Sequence, residues 1–185
     1  MILCEASRLG LDSEREAFPI SEEPPMPVRP ALPEDRPVVE RLWPLFQHDL
    51  SEWRGLLPGP GGEFRSERLH AAFDEPGWIP YLVVSGALPA GFALVRGVGE
   101  RARVLSAFFV VRGARRSGLG LGSAREVISR HPGPWQIPFQ DDNLPAARFW
   151  PRVATALVGD RWTSAHRRQS DLPPDTWISF DTASK

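Results

Sequence analysis

The chain has 185 residues, of which 42% are hydrophobic and 24% charged, and its formal net charge at pH 7 is −1. These values fit one globular domain with a core of its own, and the near-neutral charge argues against nucleic acid as a partner. Cys4 is the only cysteine, which favours a reducing compartment and leaves no intramolecular disulfide or cysteine-based zinc site. The sequence has no apolar run of membrane-spanning length and no signal-peptide pattern, so we expect a cytoplasmic protein without a membrane partner.

Residues 1–27 are polar, lean acidic and end in a proline-rich run, so we expect an N-terminal extension that is disordered or loosely attached. Residues 28–185 then form the domain. Its first strand is expected at Val28 to Pro30, and apolar residues at helical spacing predict a helix from Asp35 to Trp53. Pro44 should kink or break that helix, because proline cannot donate the backbone hydrogen bond.

Three strand patterns follow a Pro/Gly-rich loop and a short helix from Glu63 to Phe73. They cover Ile79 to Ser85, Ala90 to Val98 and Arg103 to Val111, and a turn joins the first two into a hairpin. The third is the most apolar of them, which indicates burial on both of its faces.

The second half of the chain alternates helices and strands. The patterns predict a helix, a strand, a second helix and two closing strands that pair, at Gly118 to Arg130, Trp135 to Gln140, Asn143 to Leu157, Arg161 to Arg167 and Thr176 to Asp181. Pro151 should kink the second of these helices. The element order predicts an α/β fold with a mixed sheet and helices on both faces of the sheet.

A loop of glycine and arginine residues joins the apolar strand to the next helix. It runs from Arg112 to Gly122 with the sequence RGARRSGLGLG. Free amides at a helix start favour an anion, glycine lets phosphate oxygens approach the backbone, and Arg115 and Arg116 add positive charge. The segment therefore predicts a phosphate-binding site, with a plain strand-to-helix turn as the alternative.

Two well-known phosphate loops fit this segment poorly. A Walker loop requires Gly-Lys-Ser/Thr after its second glycine, and none is present. A dinucleotide fingerprint requires Gly-x-Gly-x-x-Gly early in a βαβ unit, whereas here Ser123 stands at the third position and several strands come first.

A third kind of phosphate site, a coenzyme A cradle, matches the loop better. Arg115, Gly118 and Gly120 follow the Gln/Arg-x-x-Gly-x-Gly/Ala pattern, and Asn143 opens the next helix ahead of an alanine and the aromatic pair Phe149-Trp150. In both motifs, and in element order from about Val28 to Asp181, the chain resembles the Gcn5-related N-acetyltransferase (GNAT) superfamily. It looks closest to an uncharacterised bacterial subgroup of predicted acetyltransferases.

The resemblance implies a mostly antiparallel central sheet in which one parallel strand pair splays apart around the pantetheine arm of acetyl-CoA. The strand before the loop would line that arm, the loop amides would bind the pyrophosphate, and the asparagine would reach the same cleft. Asn143 could equally well serve only as the N-cap of the helix. Phe149 and Trp150 are expected to lie in the hydrophobic core. The implied cofactor residues are Phe109, Val110, Val111, Arg115, Arg116, Ser117, Gly118, Leu119, Gly120, Leu121, Gly122 and Asn143.

Two departures from the superfamily concern catalysis. Its members often carry a glutamate on the strand before the loop, where this chain has Ala107, and a tyrosine in the last main helix, where this chain has Phe149-Trp150. Replacement bases are sought on the first helix, where relatives build the acceptor pocket, at His48, Asp49 and Glu52, and after the fifth strand at Asp141 and Asp142. For each of these five residues, a solvent-exposed position without a catalytic role is the stronger interpretation. No metal-ligand spacing is present.

The sequence therefore predicts an enzyme, an acetyl-CoA-dependent N-acetyltransferase. A primary amine, small-molecule or protein, would attack the thioester directly in a ternary complex. A CoA-binding module that is catalytically weak or inactive is the alternative, motivated by the missing glutamate and tyrosine. The tryptophan-rich surfaces and closing strands also suggest a homodimer. Trp53 and Trp78, which flank the Pro/Gly-rich loop, either pack this loop against the sheet, the favoured interpretation, or form walls of an acceptor pocket.

Overall fold

The computed structural model describes residues 27–167 and 175–183. The predicted extension lies outside these residues except for Pro27. The described part contains seven strands, β1 to β7, at Val28–Pro30, Trp78–Ser85, Leu88–Arg96, Arg103–Val110, Pro134–Gln140, Trp162–Arg167 and Asp175–Asp181. It contains four α-helices, α1 to α4, at Arg36–Arg54, Glu67–Asp74, Leu119–Ser129 and Leu144–Val158.

All seven strands form one sheet in the order β1-β2-β3-β4-β5-β7-β6. Every neighbouring pair is antiparallel except β4 and β5, which are parallel. The parallel pair is joined only at its start, where Arg103 pairs with Trp135 and Val104 with Gln136. Beyond that point the two strands separate, so the predicted mixed sheet with a splayed parallel pair is confirmed.

Helices cover both faces of the sheet, as predicted. On one face, α3 and α4 enclose a core that includes Leu105, Val127 and Ile137. On the other, α1 and α2 enclose a core built around Val39, Phe92 and Phe109. Strand β4 contributes side chains to both cores, which explains its continuous apolar sequence.

The predicted break at Pro44 is wrong, because α1 runs from Arg36 to Arg54 without interruption. Proline removes one backbone hydrogen bond, but the buried side chains of Val39, Trp43 and Phe46 hold both halves of α1 against the sheet. Helix α4 likewise continues through Pro151.

Helix α2 begins at Glu67, four residues later than predicted. Among the described residues, no helix has both the length and the apolar composition that crossing a membrane would require.

Candidate functional site

A cavity of about 860 Å³ opens where β4 and β5 separate. Its walls come from the end of β4, the loop and first turn of α3, the C-terminal half of α1 and the N-terminal half of α4. The cavity therefore exists because the sheet splits, since paired strands would close the gap between the two helical layers.

Peptide groups on the open edge of β4 face this gap. The Val111 N–H donates to the Ala90 carbonyl on β3 at 2.8 Å, and Phe109 pairs with Phe92 in the same ladder. Because peptide directions alternate along a strand, the peptide groups of Phe108 and Val110 point to the side that β5 has left. The Val110 N–H therefore faces the gap, whereas the Phe109 N–H faces β3.

The loop presents a row of backbone amides at the start of α3. Gly118, with φ of +88°, precedes the helix, and the Gly122 N–H makes the first helical bond, to the Gly118 carbonyl at 3.0 Å. The amides of Gly118, Gly120 and Leu121 have no hydrogen-bond partner in the described part of the chain. Three open N–H groups at a helix start form a site for an anion.

Two local features give the loop its shape. Arg116 has a φ of +65° and is the one non-glycine residue with positive φ in the described ranges, 27–167 and 175–183. Such strain collects at binding sites, where surrounding contacts hold it in place. The Ser117 hydroxyl also donates to the Ala114 carbonyl at 3.0 Å, which braces the turn from inside.

Asp49 of α1 anchors two loop arginines. One carboxylate oxygen accepts from Arg112 Nη2 at 2.7 Å, and the other accepts from Arg115. Partial burial by itself would raise the pKa of Asp49, but the hydrogen bonds from Arg115 and Arg112 outweigh it, so the pKa is lowered. Asp49 is therefore held in its ionised form.

Arg115 closes part of the open strand edge with its own side chain. Its Nε donates to the Val110 carbonyl at 2.7 Å, and its guanidinium lies 5.7 Å from the centre of the Phe109 ring. The first residue of the sequence motif is thus tied to α1 and to β4 at once, while Arg116 remains exposed at the cavity rim.

Helix α4 supplies the opposite wall. Asn143 caps it: the side-chain oxygen accepts from the Ala146 N–H at 3.1 Å, and Asn143 also lines the cavity. Phe149 stacks on Phe108 of β4 with ring centres 6.0 Å apart, and Trp150 meets the same Phe108 ring edge-on at 5.5 Å. The aromatic pair, expected as core, belongs both to the core beside α4 and to the cavity wall.

Eight of the twelve residues that the sequence predicted for cofactor binding line the cavity: Phe109, Val110, Arg115, Arg116, Gly118, Gly120, Leu121 and Asn143. Val111, Ser117, Leu119 and Gly122 do not line it. Of the base candidates, Asp49 and Glu52 line it and His48 does not. Trp53 lines it too, whereas Trp78 packs against the core under α1 and α2.

The sequence interpretation missed three arginines of this cavity, Arg112, Arg148 and Arg152. The last two are four residues apart on α4 and so share one helix face, a signal that the sequence did contain. With Arg115 and Arg116 they make five arginines against the two carboxylates of Asp49 and Glu52. The cavity is therefore strongly cationic in a chain whose net charge is −1.

A second, smaller cavity of about 250 Å³ lies between α4 and strands β5 to β7. Within it Asp141 accepts from the Thr176 hydroxyl at 2.6 Å and contacts His166 Nδ1 at 2.9 Å. Burial by itself would raise the pKa of Asp141, but Thr176 and His166 outweigh it, so the pKa is lowered. No group of metal-binding side chains occurs in the part of the chain that the structure describes.

Comparison of the sequence with protein-family models finds no match, and comparison with curated proteins finds none either. Solved structures do match. An acetyltransferase from Thermus thermophilus superposes with a TM-score of 0.60 at 17% identity, over 83% of this chain and 95% of that one. A protein from Desulfovibrio desulfuricans, described as a GNAT-family acetyltransferase, gives 0.60 at 17%, over 84% and 98%.

A third match is RimL, the ribosomal L7/L12 alpha-N-protein acetyltransferase, in complex with coenzyme A. It gives a TM-score of 0.61 at 13% identity, over 85% of this chain and 94% of that one. At these identities the likeness concerns the fold. The chain has the fold of the GNAT acetyltransferases.

Proposed function

We propose that this chain transfers an acetyl group from acetyl-CoA to a primary amine. One observation carries the proposal: the open edge of β4 and the free amides of Gly118, Gly120 and Leu121 line the same cationic cavity. Such a combination suits a ligand with a long polar arm and a pyrophosphate. The RimL structure, which has this fold, contains coenzyme A, and that supports the same ligand here.

The cavity residues fit coenzyme A at two places. A Cβ on Gly120 would lie 3.8 Å from Phe149 and 3.9 Å from Val110, so glycine keeps the loop amides accessible between these side chains. Around them, Arg116, Arg148 and Arg152 supply positive charge for phosphate groups. We assign the pyrophosphate to the α3 amides and the pantetheine arm to the Phe108 peptide group, because the Val110 carbonyl already accepts from Arg115.

The transfer step needs a base and an oxyanion donor. The neutral amine attacks the thioester carbonyl, the C–N bond forms and the C–S bond breaks, and the departing thiolate takes a proton from water to become the CoA thiol. We assign the ammonium proton to Glu52, directly or through water, because Asp49 is held ionised by two arginines and makes a weak base. The Val110 N–H, on the open edge of β4, would stabilise the oxyanion.

A CoA-binding module without turnover is the second candidate, and one observation favours it. Among the described residues that line the cavity, none carries a hydroxyl, thiol or imidazole, so the thiolate has no neutral side-chain acid nearby. Ala107, at the position of the expected glutamate, is buried against the core under α1 and α2.

Two measurements separate these functions. If acetyl-CoA binds, it should stabilise the protein by about 2.7 kcal/mol at a hundredfold excess over the dissociation constant, seen as a thermal shift. Thiol release with a panel of amines then tests transfer, and E52Q should lower kcat/KM by about 10²-fold or more without changing acetyl-CoA affinity. Absence of a thermal shift at millimolar acetyl-CoA contradicts both functions. A shift without thiol release favours the module.

The candidate acceptors are a small-molecule amine and a protein amine. The RimL structure, which has this fold, is of a ribosomal L7/L12 alpha-N-protein acetyltransferase, and that supports a protein acceptor. We propose the cytoplasm as the compartment, because the single cysteine suits a reducing environment.

A further inference from the structure

Two arginines beside the split in the sheet have no acidic partner in the described part of the chain. Arg68, at the start of α2, donates from Nη1 to the Ser106 carbonyl on β4 at 2.9 Å and makes no ion pair. Arg96, at the end of β3, is exposed and forms neither a hydrogen bond nor an ion pair there. Most other arginines near α1 do have acidic partners, such as Asp49, Asp74 and Asp175.

The Ser106 carbonyl places Arg68 at the point where β4 and β5 part. Leu94 pairs with Ala107 and Val95 with Leu105, so Ser106 is an extra residue in β4 and has no partner on β3. The ladder between β4 and β5 has already ended at Val104. The Ser106 carbonyl therefore has no partner on either neighbouring strand, and it accepts a hydrogen bond from Arg68.

The surroundings of Arg68 are positively charged. Burial of the guanidinium lowers the pKa of Arg68, and the charges of Arg96 and Arg54 lower it further, against a smaller opposing effect of Asp175 and Glu67. The residue as a whole is nevertheless solvent exposed. Arg68 thus lies in positively charged surroundings at the surface of the protein, held there by its hydrogen bond to the Ser106 carbonyl. Asp175 is engaged by Arg54 at 2.6 Å, so its charge is largely neutralised.

The neighbouring sheet surface offers another unused donor. Asp175 lies on the side of β7 that faces α1, because Arg54 of α1 binds it. Trp177, two residues further along β7, points to that same side. Its Nε1 is buried and has no hydrogen-bond partner in residues 27–167 and 175–183. This face thus combines two arginines without acids and an indole N–H without an acceptor.

We propose that Arg68 and Arg96 bind a carboxylate carried by the acceptor amine, so that the acceptor is an anionic amine. This inference rests on the proposed acetyl transfer and names its substrate class. The acceptor's amine would lie in the cavity beside Val110, and its carboxylate would lie beside Ser106, four residues back along β4. At about 3.3 Å per residue this separation is roughly 13 Å, which suits a long ω-amino acid or an acidic peptide.

Binding tests the inference without relying on turnover. The protein saturated with coenzyme A is titrated calorimetrically with ω-amino acids of eight to twelve carbons, which bracket this separation, and, in parallel, with their primary amides. O-phosphoethanolamine and ethanolamine form a second pair that distinguishes phosphate from carboxylate. The acid of each carboxylate pair should bind about tenfold tighter than its amide, the effect of one charge-assisted hydrogen bond.

Variants assign the preference to the two arginines. R68Q and R96Q should each reduce the preference for the acid and leave affinity for the amide unchanged, while R68K should retain part of it. R101Q removes an exposed arginine from the loop between β3 and β4, at the far end of β4, and should retain all of it. Unchanged denaturation midpoints would show that R68Q has not disturbed Ser106.

Equal affinity of the wild type for acid and amide overturns the inference, as does a preference that survives in both R68Q and R96Q. A preference for the phosphate pair alone also overturns it. Thiol release from acetyl-CoA distinguishes failure of this inference from failure of the proposed acetyl transfer. Acid-selective binding without release with any amine supports the carboxylate site and contradicts the transfer, whereas equal release with acid and amide supports the transfer and contradicts the site.

Discussion

Replacing Gly120 by alanine should change stability and ligand affinity in opposite directions. The added Cβ would meet Phe149 at 3.8 Å and Val110 at 3.9 Å, which are ordinary contact distances, so the fold should accept it. Alanine is favoured over glycine in helices by up to about 1 kcal/mol, and the free energy of unfolding should therefore stay the same or rise. In the cavity, the same methyl group would occupy space in front of the α3 amides.

The expected loss of affinity follows from those amides. Losing one charge-assisted hydrogen bond costs about 1.5–3 kcal/mol, which corresponds to roughly tenfold to a hundredfold weaker acetyl-CoA binding. Isothermal calorimetry gives the dissociation constant, and urea denaturation without ligand gives the stability. Gly118 is a poorer choice for this test, because its φ of +88° would strain any other residue and confuse folding with binding.

Two further glycines sharpen the test. Gly113 has open space where a Cβ would lie and is outside the cavity, so G113A is the control that should leave affinity unchanged. Gly122 is part of the predicted cradle, but the structure places it outside the cavity. Weaker acetyl-CoA binding by G122A would support the prediction, and unchanged affinity would agree with the structure. If G120A is stably folded and binds acetyl-CoA as tightly as the wild type, the α3 amides do not hold the ligand.

Three other perturbations test the fold around the site. D175N should lower the free energy of unfolding by roughly 2–3 kcal/mol, because both side chains of the Arg54–Asp175 pair are only 11–12% exposed. Urea denaturation measures this loss. A change below about 0.5 kcal/mol, the size of a surface effect, contradicts the prediction. The lowered pKa of Asp49 stabilises the folded protein at pH values above the usual aspartate pKa of 3.8, and this stabilisation is lost as the pH falls through and below that value. The free energy of unfolding of D49N should therefore fall less steeply than that of the wild type from about pH 5 downward. G91A should lower the thermal midpoint, at a cost of about 1–3 kcal/mol, because its Cβ would lie 2.0 Å from the Phe109 carbonyl oxygen; an unchanged midpoint would show that β3 and β4 can move apart freely.

Local sequence chemistry determined most of the fold. Alternating and continuous apolar runs defined the strands, and glycine and asparagine defined the starts of α3 and α4, because these signals depend on residues close in sequence. The predicted break at Pro44 does not occur, because the local rule for proline was outweighed by the packing of Trp43 and Phe46 against the sheet. That packing joins residues far apart in the chain and leaves no local signal.

The candidate site divides in the same way. The loop around Gly118 and Gly120 was identified from sequence, because a helix start and its amides are built from consecutive residues. Only the tertiary structure showed that Asp49 is bound by Arg112 and Arg115, and so is unsuited to act as a base. Residue type determined which groups could bind phosphate, whereas the separation of β4 from β5 decided which of them share a cavity, because that depends on strands more than 20 residues apart.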